Sequence, residues 1–272
     1  MGQNFLIDES VLEKIIAASR LSKDDIVLEI GPGLGILTAE LAKRVKQVIA
    51  VEKDKTLYRA LENILGEQKI NNIEMLNEDV LQISNFQFLI SNQIRNSNFK
   101  IESKFKIKNY KLVANLPYYI TSPVIRKFLE TENKPELMIL MVQKEVAQRI
   151  CARPGQMSIL AIAVQFYGQP EIISIVPRAS FYPQPKVDSA IIKIIPKNQL
   201  PDIDIEKFFI LVKAGFSSKR KFLTSNLSRE LKIENCKLKI LFDQVAIGQK
   251  LRAENLSVSD WLKLYEILKN YF

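Results

Sequence analysis

The chain has 272 residues, 47% of them hydrophobic, with no signal-peptide pattern and no uncharged apolar stretch of about 18 residues, so it predicts a globular cytoplasmic protein without a membrane span. It has no histidine and two widely spaced cysteines, which excludes imidazole acid–base chemistry, cysteine–histidine nucleophile pairs and the usual zinc sites, and we expect no metal. The net charge of +9 indicates a polyanionic partner such as nucleic acid, although a composition rich in Lys, Ile and Asn also produces such a charge without selection for binding.

The first third of the chain alternates strand and helix patterns. Apolar runs typical of short buried strands cover residues 26–30, 48–51 and 73–76. Helical patterns cover residues 8–19, 37–45 and 56–65, and Asp8 is suited to cap the first of them. The alternation predicts a parallel, doubly wound α/β sheet.

The remainder first continues this pattern and then becomes helical. Further strands are predicted at residues 111–114, 137–142, 172–176 and 187–195. Further helices are predicted at residues 123–130, 144–152, 158–167, 204–216, 221–231, 237–245 and 257–270. Residues 84–108 are rich in Asn, Ser, Gln and Lys and predict an inserted loop, which either touches RNA or is merely solvated. Because the composition shifts near residue 200, we predict one domain of residues 1–199 and an all-α domain of residues 200–272.

The ends of the predicted strands carry candidate cofactor ligands. In a doubly wound sheet, ligands bind beyond the carboxyl ends of the strands, where this chain places a glycine loop beginning at Gly31, then Glu52 and Asp79. The loop reads Gly-x-Gly-x-Gly and puts Ile36 at the last glycine position of the dinucleotide fingerprint, which favours a ligand without pyrophosphate. Glu52 is placed to accept from ribose hydroxyls and Asp79 from an adenine amine. Together these features predict S-adenosylmethionine, although a single acid at a strand end is often only a helix cap.

The stretch Asn115-Leu116-Pro117-Tyr118 suits the activation of an aromatic amine. An Asn side-chain oxygen and a nearby backbone carbonyl can accept hydrogen bonds from both N–H groups of an exocyclic amine, which makes the nitrogen nucleophilic without a general base. Pro117 would fix the backbone so that the Leu116 carbonyl faces the amine, and Tyr118 would offer a face for a flipped adenine. The alternative is purely structural: a strand that ends in a proline turn before a helix.

Several segments along the chain match motifs of one enzyme family. They are Gly2-Gln3-Asn4-Phe5-Leu6, Glu29-Ile30-Gly31-Pro32-Gly33-Leu34-Gly35, Val51-Glu52-Lys53-Asp54, Asn115-Leu116-Pro117-Tyr118, Gln143-Lys144-Glu145-Val146, Phe181-x-Pro183-x-Pro185-Lys186-Val187-Asp188-Ser189 and Arg252-Ala253-Glu254-Asn255-Leu256-Ser257. Over nearly its whole length the chain resembles the ribosomal RNA adenine N6-dimethyltransferases, most closely the branch that acts on the small subunit. The insertion at residues 84–108 is longer than the family pattern.

The resemblance implies a Rossmann-like class I methyltransferase domain with a small all-α C-terminal domain. It implies transfer of four methyl groups from S-adenosylmethionine to two adjacent adenosines in the 3′-terminal hairpin loop of 16S rRNA, late in assembly of the small ribosomal subunit. By the same resemblance, the cofactor contacts are Asn4, Leu6, Gly31, Gly33, Glu52, Asp79 and Asn115. The target amine and base contacts are Asn115, Leu116, Pro117 and Tyr118, with Phe181 on the other face of the base. We expect a monomer.

Positive charge clusters in the predicted C-terminal domain. Between residues 213 and 232 there are six basic residues against Glu230 alone. Lys219, Arg220 and Lys221 follow two serines that we predict to begin the second C-terminal helix, so the helix end and the basic side chains would both face RNA phosphates. The alternative is an ordinary solvated helix end.

Three other functions remain open from the sequence. A large-subunit dimethylase that confers antibiotic resistance is disfavoured by the segment from Arg252 to Ser257 and by the proline-rich motif. A non-catalytic RNA-binding assembly factor is disfavoured by the intact Asn-Leu-Pro-Tyr segment and Glu52, although assembly binding can coexist with catalysis. A nicotinamide-dependent oxidoreductase is disfavoured by Ile36.

Overall fold

The computed structural model describes residues 4–83 and 109–272, so the predicted insertion at 84–108 lies outside the described residues. The chain divides into two compact units, one of Met1–Ala147 with Glu171–Pro196 and one of Gln148–Pro170 with Lys197–Phe272. Residues 148–170 thus group with the C-terminal helices, whereas the sequence places them before the boundary near residue 200. As an assignment of folding domains, the sequence-based division stays a prediction.

The strands of the described residues are β1 (Phe5–Leu6), β2 (Ile26–Ile30), β3 (Gln47–Val51), β4 (Ile73–Leu76), β5 (Tyr110–Asn115), β6 (Leu137–Gln143), β7 (Gly168–Val176), β8 (Phe181–Tyr182) and β9 (Ser189–Pro196). The main sheet has the order β4-β3-β2-β5-β6-β9-β7. The pairs β3–β4, β2–β3, β2–β5 and β5–β6 are parallel, whereas β6 and β9 are antiparallel. The carboxyl ends of the parallel strands therefore lie at one edge, as the sequence predicts.

Both faces of the sheet are covered. Neighbouring residues of a strand point to opposite faces, and Val27 and Leu28 of β2 are both completely buried, as are Val48 and Ile49 of β3. Strands buried on both faces read as continuous apolar runs, which explains why the sequence locates them without an alternating pattern.

The helices are α1 (Glu9–Ser19), α2 (Ile36–Ala42), α3 (Lys55–Glu67), α4 (Thr121–Glu130), α5 (Lys144–Ile150), α6 (Ile159–Tyr167), α7 (Ile205–Gly215), α8 (Leu223–Leu231), α9 (Asn235–Gln244) and α10 (Val258–Leu268). The Asp8 carboxylate accepts from Ser10 N at 3.0 Å and caps α1, as predicted. Ser257 and Asp260 form a capping box at the start of α10. None of the helices in the described residues is long and apolar enough to cross a membrane.

The second unit, Gln148–Pro170 with Lys197–Phe272, has an aromatic core of its own. Phe166 stacks on Phe208 with ring centroids 4.9 Å apart, and Trp261 stacks on Phe216 at 5.8 Å. Gly215 ends α7 beside this core, because a Cβ at that position would lie 2.2 Å from the Trp261 ring. Any larger residue there would have to displace buried indole, so close packing explains the glycine.

Candidate active site

A cavity of about 400 Å³ opens at the carboxyl edge of the parallel strands in the first unit. Its lining comes from the chain before α1, from the glycine loop after β2, from the segment after β5 and from β8. The lining residues are Asn4, Phe5, Leu6, Glu29, Gly31, Pro32, Gly33, Leu34, Ile36, Leu37, Asn115, Leu116, Pro117, Tyr118, Tyr119 and Phe181. The structure thus brings together nine of the predicted site residues from four separate parts of the sequence.

The glycine loop is a tight turn between β2 and α2. Gly31, Gly33 and Gly35 have φ angles of +66°, +59° and +83°, which residues with a Cβ rarely adopt. A Cβ at Gly35 would also lie 2.2 Å from Leu61, and one at Gly33 would lie 3.3 Å from the Phe5 ring. The backbone therefore passes close to its neighbours and leaves the cavity wall without side chains at these positions.

The Asn-Leu-Pro-Tyr segment leaves the end of β5 at the cavity. Asn115 is the last residue of β5, and Leu116 N donates to Met141 O at 3.2 Å. The next turn closes when Ile120 N donates to Pro117 O at 3.1 Å, so neither bond uses the Leu116 carbonyl. No residue in the described part of the chain hydrogen-bonds to the Asn115 side-chain amide. These contacts therefore leave the two predicted acceptors for the amine, the Asn115 side-chain oxygen and the Leu116 carbonyl, able to accept hydrogen bonds.

Phe181 reaches the cavity through a two-stranded sheet that sequence patterns did not predict. β1 pairs antiparallel with β8, with Phe5 opposite Tyr182 and Leu6 opposite Phe181. Ile7 N donates to Ser180 O at 2.9 Å, and Ser180 Oγ donates to Asp8 Oδ2 at 2.8 Å. The segment that carries Asn4 and Leu6 and the strand that carries Phe181 are therefore one hydrogen-bonded piece.

Glu52 lies directly after β3 and is 3% exposed. Its Oε1 accepts from Asp54 N at 2.8 Å, whereas Oε2 has no hydrogen-bond partner among the described residues. Burial raises the pKa of this carboxyl, and backbone N–H groups of Asp54 and Gly33 counteract part of the rise. The carboxyl is not among the residues that line the cavity, but these contacts put it beside the glycine loop.

Asp79 lies beyond β4 and is also outside the cavity lining. Its Oδ2 pairs with Lys53 Nζ at 2.9 Å, and its Oδ1 accepts from Leu81 N at 2.9 Å. The hydrogen bond from Lys53 holds the pKa of Asp79 below its ordinary value, so the group is a carboxylate at neutral pH. Each oxygen already has one partner but keeps a lone pair that can accept a further hydrogen bond. The adenine contact at Asp79 is therefore chemically allowed and stays a prediction.

Glu29 is a cavity residue to which the sequence assigned no role. It is the penultimate residue of β2 and is 1% exposed. Its Oε2 has no hydrogen-bond partner among the described residues. Burial raises its pKa to about 8, and the nearby Glu52 carboxyl adds to the rise. An acidic residue inside a strand that is otherwise wholly apolar was the available signal.

The predicted RNA-binding residues lie in a turn of the second unit. Lys219, Arg220 and Lys221 are exposed, but α8 begins only at Leu223 and has no side-chain cap. The prediction that Ser217 and Ser218 begin this helix is wrong, because the Asn226 side chain donates to the carbonyls of Gly215 and Ser218 at 2.7 and 3.0 Å and holds a turn there. We call residues 218–221 the basic turn.

No group of three or more Cys, Asp or Glu side chains in residues 4–83 and 109–272 is arranged to hold a metal ion. Neither Cys151 nor Cys236 lines the cavity. The polar and aromatic groups at the cavity are instead backbone amides, the Glu29 carboxyl, the side-chain amides of Asn4 and Asn115, and aromatic rings, a set suited to an organic ligand.

This sheet order, with a glycine loop after the first parallel strand of the unit and acidic residues after the next strands, defines a class I methyltransferase. The solved structures agree. A dimethyladenosine transferase from Plasmodium falciparum superposes with a TM-score of 0.80 at 27% identity, covering 98% of both chains. The 23S rRNA methyltransferase ErmE superposes with a TM-score of 0.74 at 27% identity, covering 98% of this chain and 100% of the other.

The sequence comparisons identify one family within this class of methyltransferases. The family model described as ribosomal RNA adenine dimethylase matches residues 1–270. The ribosomal RNA small subunit methyltransferase A of Dehalococcoides mccartyi is 45% identical over 267 residues, covering 97% of this chain and 86% of that protein. The protein of the same name from Alkaliphilus oremlandii is 40% identical, covering 96% and 88%. The chain belongs to the ribosomal RNA adenine dimethylase family and is a methyltransferase that requires a methyl donor.

Proposed function

We propose that this enzyme transfers methyl groups from S-adenosylmethionine to the N6 amines of two adjacent adenosines in the 3′-terminal hairpin loop of 16S rRNA, within the assembling small ribosomal subunit. The observation that carries this proposal is the convergence of Asn115, Tyr118 and Phe181 with the glycine loop on one cavity. The names of the curated relatives at 45% and 40% identity favour the small-subunit RNA as substrate.

The unsatisfied groups fit S-adenosylmethionine better than a dinucleotide. Glu29 and Glu52 each keep a buried oxygen without a partner among the described residues. A ligand with an ammonium group and ribose hydroxyls brings donors to such oxygens, whereas a pyrophosphate would bring negative charge next to the glycine loop and these carboxyls. In this arrangement Glu52 holds the ribose, Asp79 the adenine amine, and Asn4, Leu6, Gly31, Gly33 and Asn115 the remainder.

The cofactor supplies a methyl group already activated on a sulfonium, so the protein has to orient and polarise the amine. The Asn115 side-chain oxygen and the Leu116 carbonyl accept from the two N–H groups of N6, which turns its lone pair out of conjugation with the ring. Tyr118 and Phe181 hold the two faces of the flipped base. Pro117, with φ −55° and ψ 129°, keeps the carbonyl of the preceding residue in place.

No proton has to be removed before methyl transfer, because the neutral amine is the nucleophile. The chain contains no histidine, and the arrangement does not need one. After transfer the methylated nitrogen carries a positive charge and releases its proton to water. Catalysis then rests on alignment and on hydrogen bonds that the folded site presents in advance.

The test is transfer of a labelled methyl group to isolated ribosomal subunits that lack the modification, followed by identification of the nucleoside. We expect label in the small subunit as N6,N6-dimethyladenosine and none in the large subunit. Label in the large subunit would instead support a second candidate function, that of a large-subunit dimethylase. The observation that favours this candidate is the similarity to the 23S rRNA methyltransferase ErmE at 27% identity. RNA binding without any label would favour a non-catalytic assembly factor.

A further inference from the structure

Tyr118 is tied by its hydroxyl to a residue outside its own motif. Tyr118 Oη and Ser189 Oγ are 2.8 Å apart, and either atom can donate. Ser189 is completely buried, although Tyr118 is only partly buried and lines the cavity. Among the described residues, the buried Ser189 hydroxyl therefore has its side-chain hydrogen bond with a tyrosine of the cavity wall.

The serine itself stands on rigid backbone. It opens β9 and lies opposite Gln143 of β6. The preceding residue is fixed twice, because Asp188 O accepts from Lys144 N at 3.0 Å and Asp188 Oδ1 accepts from Arg178 N at 3.2 Å. A hydroxyl mounted on this junction has little freedom to move, so it defines a fixed point for the tyrosine ring.

The opposite end of the tyrosine is fixed as well. Pro117 restricts the backbone just before it, and Thr121 N donates to Tyr118 O at the end of the short helical turn Tyr118–Ile120. With the backbone and the hydroxyl both held, the ring cannot swing out of its place in the cavity wall without breaking the bond to Ser189. The position and direction of the long axis of the ring, over which a stacked base must lie, are then set before any base enters.

We propose that Ser189 is a positioning residue for methyl transfer: its hydroxyl fixes the position of the Tyr118 ring in the cavity wall, and thereby the place at which the target adenine presents N6 to the methyl donor. This inference rests on the proposed function, because it takes Tyr118 as a face for the adenine. Ser189 does not touch the base itself. It acts through the ring, and its effect belongs to the rate of transfer and not to cofactor binding.

The test is a double-mutant cycle with Ser189→Ala, Tyr118→Phe and the double variant, measured as single-turnover methyl transfer to small subunits. We expect each single variant to lower the transfer rate about tenfold or more at unchanged cofactor affinity, since a small misplacement can cost up to about 100-fold. The double variant should be no slower than either single one, because the same bond is lost in all three.

Stability separates positioning from simple packing. Tyr118→Phe leaves the Ser189 hydroxyl buried without a partner and should lower the melting temperature, and the double variant should recover most of that loss because both polar groups are gone. If Ser189 only supported the fold, activity would recover together with stability, and that result would overturn the proposal. We expect activity to stay low while stability returns.

Tyr110→Phe is the matched control. Its hydroxyl donates to Asn133 O at 3.0 Å in the same unit, but the residue does not line the cavity. We expect lower stability and wild-type transfer. Single-turnover rates within twofold of wild type in Ser189→Ala and Tyr118→Phe would refute the positioning role alone, whereas wild-type rates in Tyr118→Ala and Asn115→Ala would refute the proposed site as a whole.

Discussion

At the scale of single residues, we propose that Asn115 polarises the target amine. Its side chain has no hydrogen bond within the described residues, so truncation removes no structural hydrogen bond. We expect Asn115→Ala to keep the wild-type melting temperature and to lower the rate of methyl transfer by far more than tenfold. A tenfold loss alone corresponds to about 1.4 kcal/mol of transition-state stabilisation. Single-turnover transfer to small subunits measures this. A loss smaller than tenfold would assign the polarising role to another group.

Glu29 gives the cofactor-free protein a distinctive pH dependence. The folded carboxyl titrates near pH 8 and the unfolded one near its ordinary value of 4.5, so between these values the folded state binds the extra proton. The free energy of unfolding should therefore fall as pH rises from 5 to 8, by at most about 1.4 kcal/mol per pH unit from this group.

Glu29→Gln isolates this contribution, because the amide stays neutral at every pH and Glu52 titrates in both proteins. We expect the variant and the wild type to have similar stability at pH 5 and the variant to become the more stable one towards pH 8. Urea unfolding without cofactor measures the difference. A difference that does not change with pH would show that burial does not hold the Glu29 proton.

At the scale of elements, the junction of β1 and β8 connects the two sides of the cavity. Ser180 Oγ binds Asp8 Oδ2, while Ser10 Oγ binds Asp8 Oδ1 at 2.7 Å from the helix side. We expect Ser180→Ala to weaken both cofactor binding and the apparent affinity for RNA, because it loosens the pairing of Leu6 with Phe181. Ser10→Ala is the control, since it removes a hydroxyl from the same carboxylate without touching the junction. Unchanged cofactor affinity in Ser180→Ala, measured by calorimetry, would disprove the coupling.

The sequence predicts the parallel strands and the capped helices within a few residues, because each depends on local signals: buried apolar runs, glycines, and capping residues such as Asp8. The β1–β8 pair has no such signal, since two-residue strands lack periodicity and the paired residues, Phe5 with Tyr182 and Leu6 with Phe181, are far apart in sequence. β7 also begins at Gly168, four residues before the predicted strand, because Gly-Gln-Pro has no apolar pattern.

The candidate site divides in the same way. The motif residues can be identified from the sequence because the chemistry needs particular side chains at particular spacings. The supporting contacts cannot be identified in this way: Ser189 closes the motif that begins at Phe181 and Ser180 is an ordinary serine, but only the fold brings them to Tyr118 and Asp8. The start of α8 was misplaced because the Asn226 side chain satisfies two carbonyls of the preceding turn, a contact that capping rules do not include.

At the scale of the whole molecule, the basic turn is the candidate phosphate contact of the second unit. We expect replacement of Lys219, Arg220 and Lys221 by Ala to weaken RNA binding and to lower the log–log salt slope by roughly 0.7–0.9 per lost phosphate contact. Cofactor affinity should stay the same, because all three side chains lie in the unit that does not contain the cavity. An unchanged salt slope on small subunits would place the RNA on another surface.

The proposed function requires one cavity that holds a methyl donor beside an adenine N6 bound by Asn115, Tyr118 and Phe181. The most direct measurement maps methylated nucleotides in small-subunit RNA after incubation with S-adenosylmethionine and either the wild type or Asn115→Ala. We predict two adjacent N6,N6-dimethyladenosines in the 3′-terminal hairpin loop with the wild type and neither with the variant. Methylation at another atom or another site, or unchanged methylation by Asn115→Ala, would contradict the claim.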